Sequence, residues 1–390
     1  MDRPGENAPR PLGQSWVSAV VHTLLERKIE MRLTVLNVAY PLAPVGLDAV
    51  GGAEQVLTQI DAALVEAGHR SLVLACEGSS TAGELFATRA VDGRLQDHMQ
   101  TEVQARHRAW VERLVAEHRV DLVHFHGLDF HTYLPDQDIP ALVTLHLPAA
   151  FHRGEAFQIR RPQTFFHAVS RSQQRAFPAG LPLLPPIENG VPVDTVPWSN
   201  KKRDYVVSLG RICPEKGFHL AIAAARRANA PLRIAGRVFP FAAHQDYFQT
   251  QLCPRLGPSC EFIGPVGPAA KYQLLKYARA LLIASTVPET SSLVAMEALA
   301  CGTPVIAFPA GALPEIVEHG VTGFLVRDVK EMSEAIQAVD TLEPAVCRET
   351  AARRFSVTRM TAQYLKRYQS IAASALSAPE RQKEEAYASL

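Results

Sequence analysis

The sequence predicts an α/β protein built from two doubly wound, Rossmann-like domains in tandem, facing one another across a central cleft. Three observations predict it. Short β-rich runs alternate with helical stretches from residue 31 onward, as parallel strands joined by crossover helices do. The alternation breaks at PLLPPIENGVPVD, 182–194, a run rich in Pro, Asn and Gly, and then restarts. The length, 390 residues, suffices for two domains of ordinary size.

Residues 1–14 are polar and rich in Pro and Gly, a composition that predicts disorder. Trp16, Val17, Val20, Val21, Leu24 and Leu25 then recur at helical spacing. Residues 15–28 therefore read as a helix docked on the body, or as an interfacial anchor in peripheral contact with the inner face of a membrane. Met31, which opens the strand-like MRLTVLNVAY, is an alternative start. Strands are predicted at 32–39, 71–75, 120–125, 141–146 and 165–169. After the connector they resume at 204–209, 232–235, 261–263, 280–284 and 304–308, with helices near 216–228, 268–278, 292–301 and 312–318. Residues 356–373 put Met360, Tyr364, Tyr368 and Ile371 on one helical face, which predicts a helix packing back on a domain. From Ser374 the tail turns small, polar and charged and is expected to fray. The expected bounds are 1–30 for the extension, 31–195 and 196–355 for the domains, 356–373 for the crossover helix and 374–390 for the tail.

Composition narrows the function class. Apolar residues make up 47% and charged residues 20% of the chain, ordinary for a soluble globular protein. The net charge of +1 gives no field over the whole molecule to hold nucleic acid. Residues 1–195 carry 17 Lys and Arg against 22 Asp and Glu, and residues 196–390 carry 23 against 17. A cationic second half suits an anionic ligand, and solvated surface charge accounts for it equally well. The six cysteines, at 76, 213, 253, 260, 301 and 347, form no CxxC pair, so free thiols in a cytoplasmic setting are expected. No apolar run approaches the roughly 18–20 residues that span a bilayer.

The residues with chemistry to offer sit at predicted strand ends and helix starts. In PETSSLVAMEALACGTPV, 288–305, a polar loop runs into a helix that is apolar almost all round, yet Glu297 lies inside it and Glu289 at the loop. Burying a carboxylate is costly without a partner, and a helix start offers free N–H groups and a favourable dipole end to anions. A ligand carrying both phosphates and hydroxyls would use all of these. The plainer alternatives are a dipole interaction at Glu289 and a buried salt bridge at Glu297. In SLGRICPEKG, 208–217, a strand ends at Gly210 and Arg211 and Lys216 follow, two cations that either grip a diphosphate or are merely solvated. Gly51-Gly52, before a helix from about Ala53, lets a backbone approach a ligand closely. The pattern is not GxGxxG, so no dinucleotide is indicated. Of 14 histidines, 11 lie before residue 196, and His124, His126 and His146 fall at strand ends expected to face the cleft. An HxH pair with no third ligand in context does not make a metal site. Ser170 and Asn189-Gly190 read as turn residues.

The order of motifs resembles the family 4 retaining glycosyltransferases of the GT-B fold over roughly residues 31–372. The motifs are GGAEQVL at 51–57, DLVHFHG at 121–127, TLH at 144–146, AVSRS at 168–172, ENGVPVD at 188–194 and SLGRICPEKGFHLAI at 208–222. They continue with the Glu-x7-Glu element at 289–297, ACGTPVIA at 300–307 and LPEIVEHGVTGFLV at 313–326. One departure stands out: Thr290-Ser291-Ser292 occupies the place where the family usually has an aromatic residue and Gly.

The resemblance implies transfer of a sugar from a UDP-, GDP- or ADP-linked donor to a hydroxyl acceptor (a sugar, a glycolipid or a small molecule), with retention of configuration. It implies no cofactor, no metal and no nucleic-acid partner. The N-terminal domain would bind the acceptor and the C-terminal domain the donor, with closure near residue 195 and at the C-terminal helix. By resemblance His146 lies near the reacting sugar, Arg211 and Lys216 hold the diphosphate, Glu289 the donor sugar and Glu297 the ribose. Backbone N–H groups around Ser291, Ser292 and Leu293 cradle phosphate, and Gly51, Gly52 and Gly210 border the donor. The alternatives are a nucleotide-sugar 2-epimerase on the same fold and a catalytically inactive nucleotide-binding scaffold, the latter favoured by the Thr-Ser-Ser departure.

Overall fold

The structure, a computed structural model, describes residues 32–89 and 97–388. The N-terminal extension, the segment 15–28 expected to dock on the body or contact a membrane, and the alternative start at Met31 lie outside the described residues. The first domain contains β1 (Thr34–Val38), α1 (Gly52–Glu66), β2 (Arg70–Cys76), β3 (Glu84–Thr88) and α2 (Asp97–Glu117). It continues with β4 (Leu122–Phe125), β5 (Ala141–Leu145), β6 (Thr164–Ala168), α3 (Arg171–Ala176) and β7 (Leu183–Leu184). The second domain opens with β8 (Val206–Leu209), α4 (Phe218–Arg227), β9 (Leu232–Ala235), α5 (Ala242–Tyr247), β10 (Cys260–Gly264) and α6 (Pro268–Tyr277). Then come β11 (Leu281–Ile283), α7 (Leu293–Ala300), β12 (Val305–Ala307), α8 (Leu313–Ile316), β13 (Gly323–Leu325), α9 (Val329–Ala338), α10 (Pro344–Phe355) and α11 (Val357–Ala388).

The strands pair in two parallel sheets, in the orders β3-β2-β1-β4-β5-β6-β7 and β10-β9-β8-β11-β12-β13. Each order reverses once, between β1 and β4 and between β8 and β11, and connections leave a crevice at such a point, beyond the strand C-termini. Gly51-Gly52 follows β1, His126 follows β4, Arg211 follows β8 and Glu289 follows β11. The two reversals therefore gather the chemistry-bearing residues.

Three strands, β3, β7 and β13, arise where the sequence announces none. All lie at sheet edges, and β7 is two residues inside the Pro-rich connector. An edge strand is half-buried and lacks the continuous apolar run that marks a central one. The expected helix at 216–228 is split by Gly217, held at φ 62, into a short turn Pro214–Lys216 and α4. A Cβ on Gly217 would fall 2.1 Å from the Ala284 carbonyl oxygen, so this crossing of β8 and β11 loops requires glycine.

The C-terminal helix ties the domains together. On α11, Met360, Tyr364, Tyr368 and Ile371 are buried against Leu33, Val35, Leu64 and Leu122 of the first domain. Burying each such side chain contributes on the order of 1.5–3 kcal/mol. The helix does not stop at Ser374, where composition predicted fraying, but runs to Ala388. The two crossings between domains lie side by side: Val191 N donates to the Phe355 carbonyl at 2.8 Å, and Val357 N to the Val191 carbonyl at 3.0 Å. Among the described residues no helix is long and apolar enough to cross a membrane.

Candidate active site

Two helix N-termini, one from each domain, meet at the site. Gly51 caps α1 and Ser292 caps α7. A Cβ on Gly52 would lie 3.3 Å from Leu293 Cδ1, and one on Gly51 only 1.9 Å from Glu54 Oε2. Gly52 thus keeps the α1 start flush against the α7 start, and Gly51 makes room for the Glu54 carboxylate of its own helix. Each start leaves backbone N–H groups without an intrahelical partner and presents a positive dipole end. Neither cap residue closes these groups with its side chain, and the buried Ser291 hydroxyl beside them has no partner. Together they form a concentrated set of donors waiting for an acceptor.

A cation and a carboxylate stand next to it. Lys216 Nζ lies 2.6 Å from Glu289 Oε1, and Ser285 Oγ donates to the same oxygen. The Glu289 backbone is held by a bridge to Gly311, whose φ of 64 and absent Cβ, which would sit 2.2 Å from the Glu289 carbonyl oxygen, permit the approach. Gly210 directly follows β8, its N–H bonded to the Ala235 carbonyl at 3.2 Å, and the Arg211 side chain after it is exposed.

From the first domain comes His146, directly after β5. Its carbonyl accepts a bond from Thr290 Oγ1 at 2.9 Å, so the first residue of the Thr-Ser-Ser departure joins the two domains. Its ring nitrogen Nε2 lies 3.1 Å from His126 Nδ1, and the two rings stack 5.4 Å apart. Burial pushes the His146 imidazole down to about 3, and His126 well below the usual histidine range. Both rings are therefore neutral hydrogen-bonding groups near pH 7 rather than cations.

His124 does not face the cleft. It is fully buried in β4, with Nδ1 2.7 Å from the Tyr368 hydroxyl and Nε2 2.7 Å from Thr144 Oγ1. Alternation along the strand turns it toward α11, while His126 sits past the strand end. Ser170 is the helix cap its turn reading implied, accepting from Gln173 N at 3.1 Å.

Glu297 is 4% exposed on α7, and its salt bridge is present: Lys271 Nζ lies 2.5 Å from Oε1, with the Tyr272 hydroxyl at 3.4 Å. Burial raises its proton affinity and the Lys271 charge works against that. Sequence reasoning named neither Lys271 nor Ser285. A lysine in the first turn of α6, behind Gly267-Pro268, was readable as a helix residue but not as the partner of a carboxylate 26 positions away.

Outside this cluster the domains touch where Glu315, on α8, accepts from the Arg171 and Ser172 N–H groups of α3 at 3.0 and 2.5 Å. A fixed anion on a helix start is a charge-assisted contact, and it holds the second domain against the first.

Comparison with known proteins agrees with this layout. The family model described as Glycosyltransferase Family 4 matches residues 50–194, and the model described as Glycosyl transferases group 1 matches residues 196–353. A D-inositol 3-phosphate glycosyltransferase of Mycolicibacterium smegmatis is 34% identical over 152 residues, which are 38% of this chain and 35% of that protein. The chain thus spans about a third of the length of the curated relatives of this kind that it matches. Among solved structures, sucrose-phosphate synthase from Thermosynechococcus elongatus superposes with a TM-score of 0.72 at 19% identity, covering 88% of this chain and all of that one. Anabaena HepE, solved in complex with UDP-glucose, superposes with a TM-score of 0.68 at 21% identity, covering 87% of this chain and 100% of that one. At these identities the structural likeness speaks for the fold.

Proposed function

We propose that this chain, which belongs to the family 4 glycosyltransferases of the GT-B fold, transfers a sugar from a nucleotide diphosphate-sugar to a hydroxyl acceptor with retention of configuration. The observation that carries the reading is the Lys216–Glu289 pair standing beside two helix N-termini that meet at Gly52 and Leu293. Donors for phosphate and acceptors for sugar hydroxyls lie side by side, and the domain boundary runs between the two helix starts.

In this reading the N–H groups at Ser291, Ser292 and Leu293 and at Gly51 and Gly52 take the diphosphate, with Gly210 at its border. Lys216 leaves Glu289 for a phosphate oxygen, Arg211 swings onto it, and Glu289 accepts from the donor sugar hydroxyls. Glu297, whose bonds to Lys271 and Tyr272 fall on Oε1, takes the ribose hydroxyls through Oε2. As the bond from the anomeric carbon to phosphate breaks, charge builds on the leaving diphosphate, and fixed donors there lower the barrier. The acceptor oxygen attacks from the same face, and its proton passes to the leaving phosphate oxygen. His146, neutral and held by His126, hydrogen-bonds the reacting sugar or acceptor. Arg211, Lys216 and the helix starts supply the charge stabilisation that a metal ion would otherwise supply.

The test is a thermal-shift screen of UDP, GDP and ADP and their sugars, followed by turnover with the donor that stabilises most. UDP-glucose heads the panel because HepE is solved with it. Lys216→Ala and Glu297→Ala should each lower turnover by about 100-fold or more while the circular dichroism spectrum stays unchanged. Near-wild-type transfer by both variants overturns the assignment. Epimerised donor formed without acceptor would indicate the epimerase, and a nucleotide-induced shift with neither transfer nor epimerisation the inactive nucleotide-binding scaffold.

A further inference from the structure

The loop that carries Arg211 and Lys216 holds a second constellation which the transfer reading does not use. Cys213, Glu215 and His244 each bring one donor atom to within 4.8 Å of the other two. Cys213 is buried, Glu215 is exposed and His244 is half-buried, so the cluster runs from the protein interior to solvent. We propose that these three residues bind a zinc ion, which clips the loop Cys213–Lys216 to helix α5.

The donor set selects the metal class. A thiolate and an imidazole favour zinc over magnesium or calcium, which prefer all-oxygen sites. One sulfur, one nitrogen and one carboxylate oxygen are three protein ligands of a tetrahedron, and water supplies the fourth. Binding costs the Cys213 thiol its proton, which passes to solvent. The thiolate and the Glu215 carboxylate then balance the double positive charge, so the loaded site is neutral, one unit more positive than the empty one beside Arg211 and Lys216.

Both arms of the site are held before any ion arrives. On one side, Lys216 N bonds the Cys213 carbonyl at 3.2 Å, and Thr286 N bonds the Glu215 carbonyl at 2.9 Å. On the other, Tyr247 anchors α5 to α4 through its hydroxyl, 3.2 Å from His219 N and 2.9 Å from His219 Nδ1. The His244 ring meets Phe239 and Phe241 edge-on, which fixes its plane. Its Nδ1 is buried without a hydrogen-bond partner. An imidazole with an unpartnered nitrogen, beside a buried thiol and a carboxylate, is an arrangement that a cation completes.

The experiment uses the full chain, stripped with chelator, and reads metal binding rather than activity. Cobalt(II) is titrated while the near-ultraviolet absorbance of sulfur-to-cobalt charge transfer is followed, and zinc binding is measured by calorimetry. The expected result is saturation at one equivalent, with zinc displacing cobalt. Cys213→Ser should abolish the charge-transfer band, and His244→Ala and Glu215→Gln should each weaken zinc by at least about tenfold. The two latter positions are not fully buried, so they decide the matter even if Cys213→Ser fails to fold. Absence of saturable binding at one equivalent, a band that survives Cys213→Ser, or wild-type affinity in both His244→Ala and Glu215→Gln overturns the proposal.

Discussion

Lowering the pH should unfasten the first domain from the C-terminal helix through His167. This residue is fully buried, with Nδ1 3.0 Å from the Ala168 carbonyl and Nε2 2.7 Å from Thr144 Oγ1. The carbonyl only accepts, so Nδ1 carries the proton and Nε2 accepts from the Thr144 hydroxyl. Thr144 in turn accepts from His124 Nε2–H, and His124 Nδ1 accepts from the Tyr368 hydroxyl. Both ring nitrogens of His167 are thus already committed, and a second proton on its Nε2 would face the Thr144 hydroxyl donor. Burial, with Arg367 and His146 adding to it, pushes the imidazole down to about 3. The folded form is thus depressed below the unfolded value of about 6.5. Its contribution is fully present above that value and is lost as pH falls toward 3. At pH 5 the loss is about 2 kcal/mol relative to neutral pH, and the slope is about 1.4 kcal/mol per pH unit. That figure does not depend on where below 4 the folded value lies. Glu54 and Glu297, both raised by burial, act in the opposite sense at low pH, so the measurement is a difference. Urea unfolding of wild type and His167→Gln between pH 7.5 and 4.5 should give curves that diverge at neutral pH and converge on acidification by about one proton's slope. Parallel curves, or a His167 ring seen by NMR to titrate near 6.5, would refute the reasoning.

Other perturbations follow from single contacts. Lys271→Ala strands the Glu297 carboxylate among apolar residues, and urea unfolding at pH 7.5 should show a loss of about 3 kcal/mol or more. Gly311→Ala drives a methyl group into the Glu289 carbonyl at a φ of 64; thermal unfolding should register at least about 1 kcal/mol, together with reduced donor-induced stabilisation. Glu315→Gln weakens two charge-assisted bonds to the α3 N–H groups, each worth about 1.5–3 kcal/mol, and small-angle scattering should show a larger radius of gyration. Thr290→Val removes the donor to the His146 carbonyl while keeping the side-chain volume, and should enlarge the radius in the same way.

How legible this molecule was in its sequence depended on whether the signal lay along the chain or across it. Central strands such as β1, β2, β5 and β8 read as apolar runs because both their faces are covered, and α11 read as a face because Met360, Tyr364, Tyr368 and Ile371 repeat at helical spacing. Glu297 was legible as an anomaly: a carboxylate in an apolar helix needs a partner. Its partner was not legible, because nothing in the order of residues relates Lys271 to it; only the packing of α6 on α7 does. The same limit applied to histidine. His124 and His126 differ by two positions and look equivalent in the sequence, yet one belongs to the α11 junction and the other to His146, because the strand ends between them at Phe125. The Thr-Ser-Ser segment marks the other side of that boundary. Read along the chain it is a lost aromatic residue and a lost glycine, which speaks against function. Placed in space, Thr290 reaches His146 in the opposite domain and Ser291 presents an unpartnered hydroxyl beside the α7 start. The departure therefore puts other hydrogen-bonding groups in that place, one reaching across the domain boundary and one beside the α7 start.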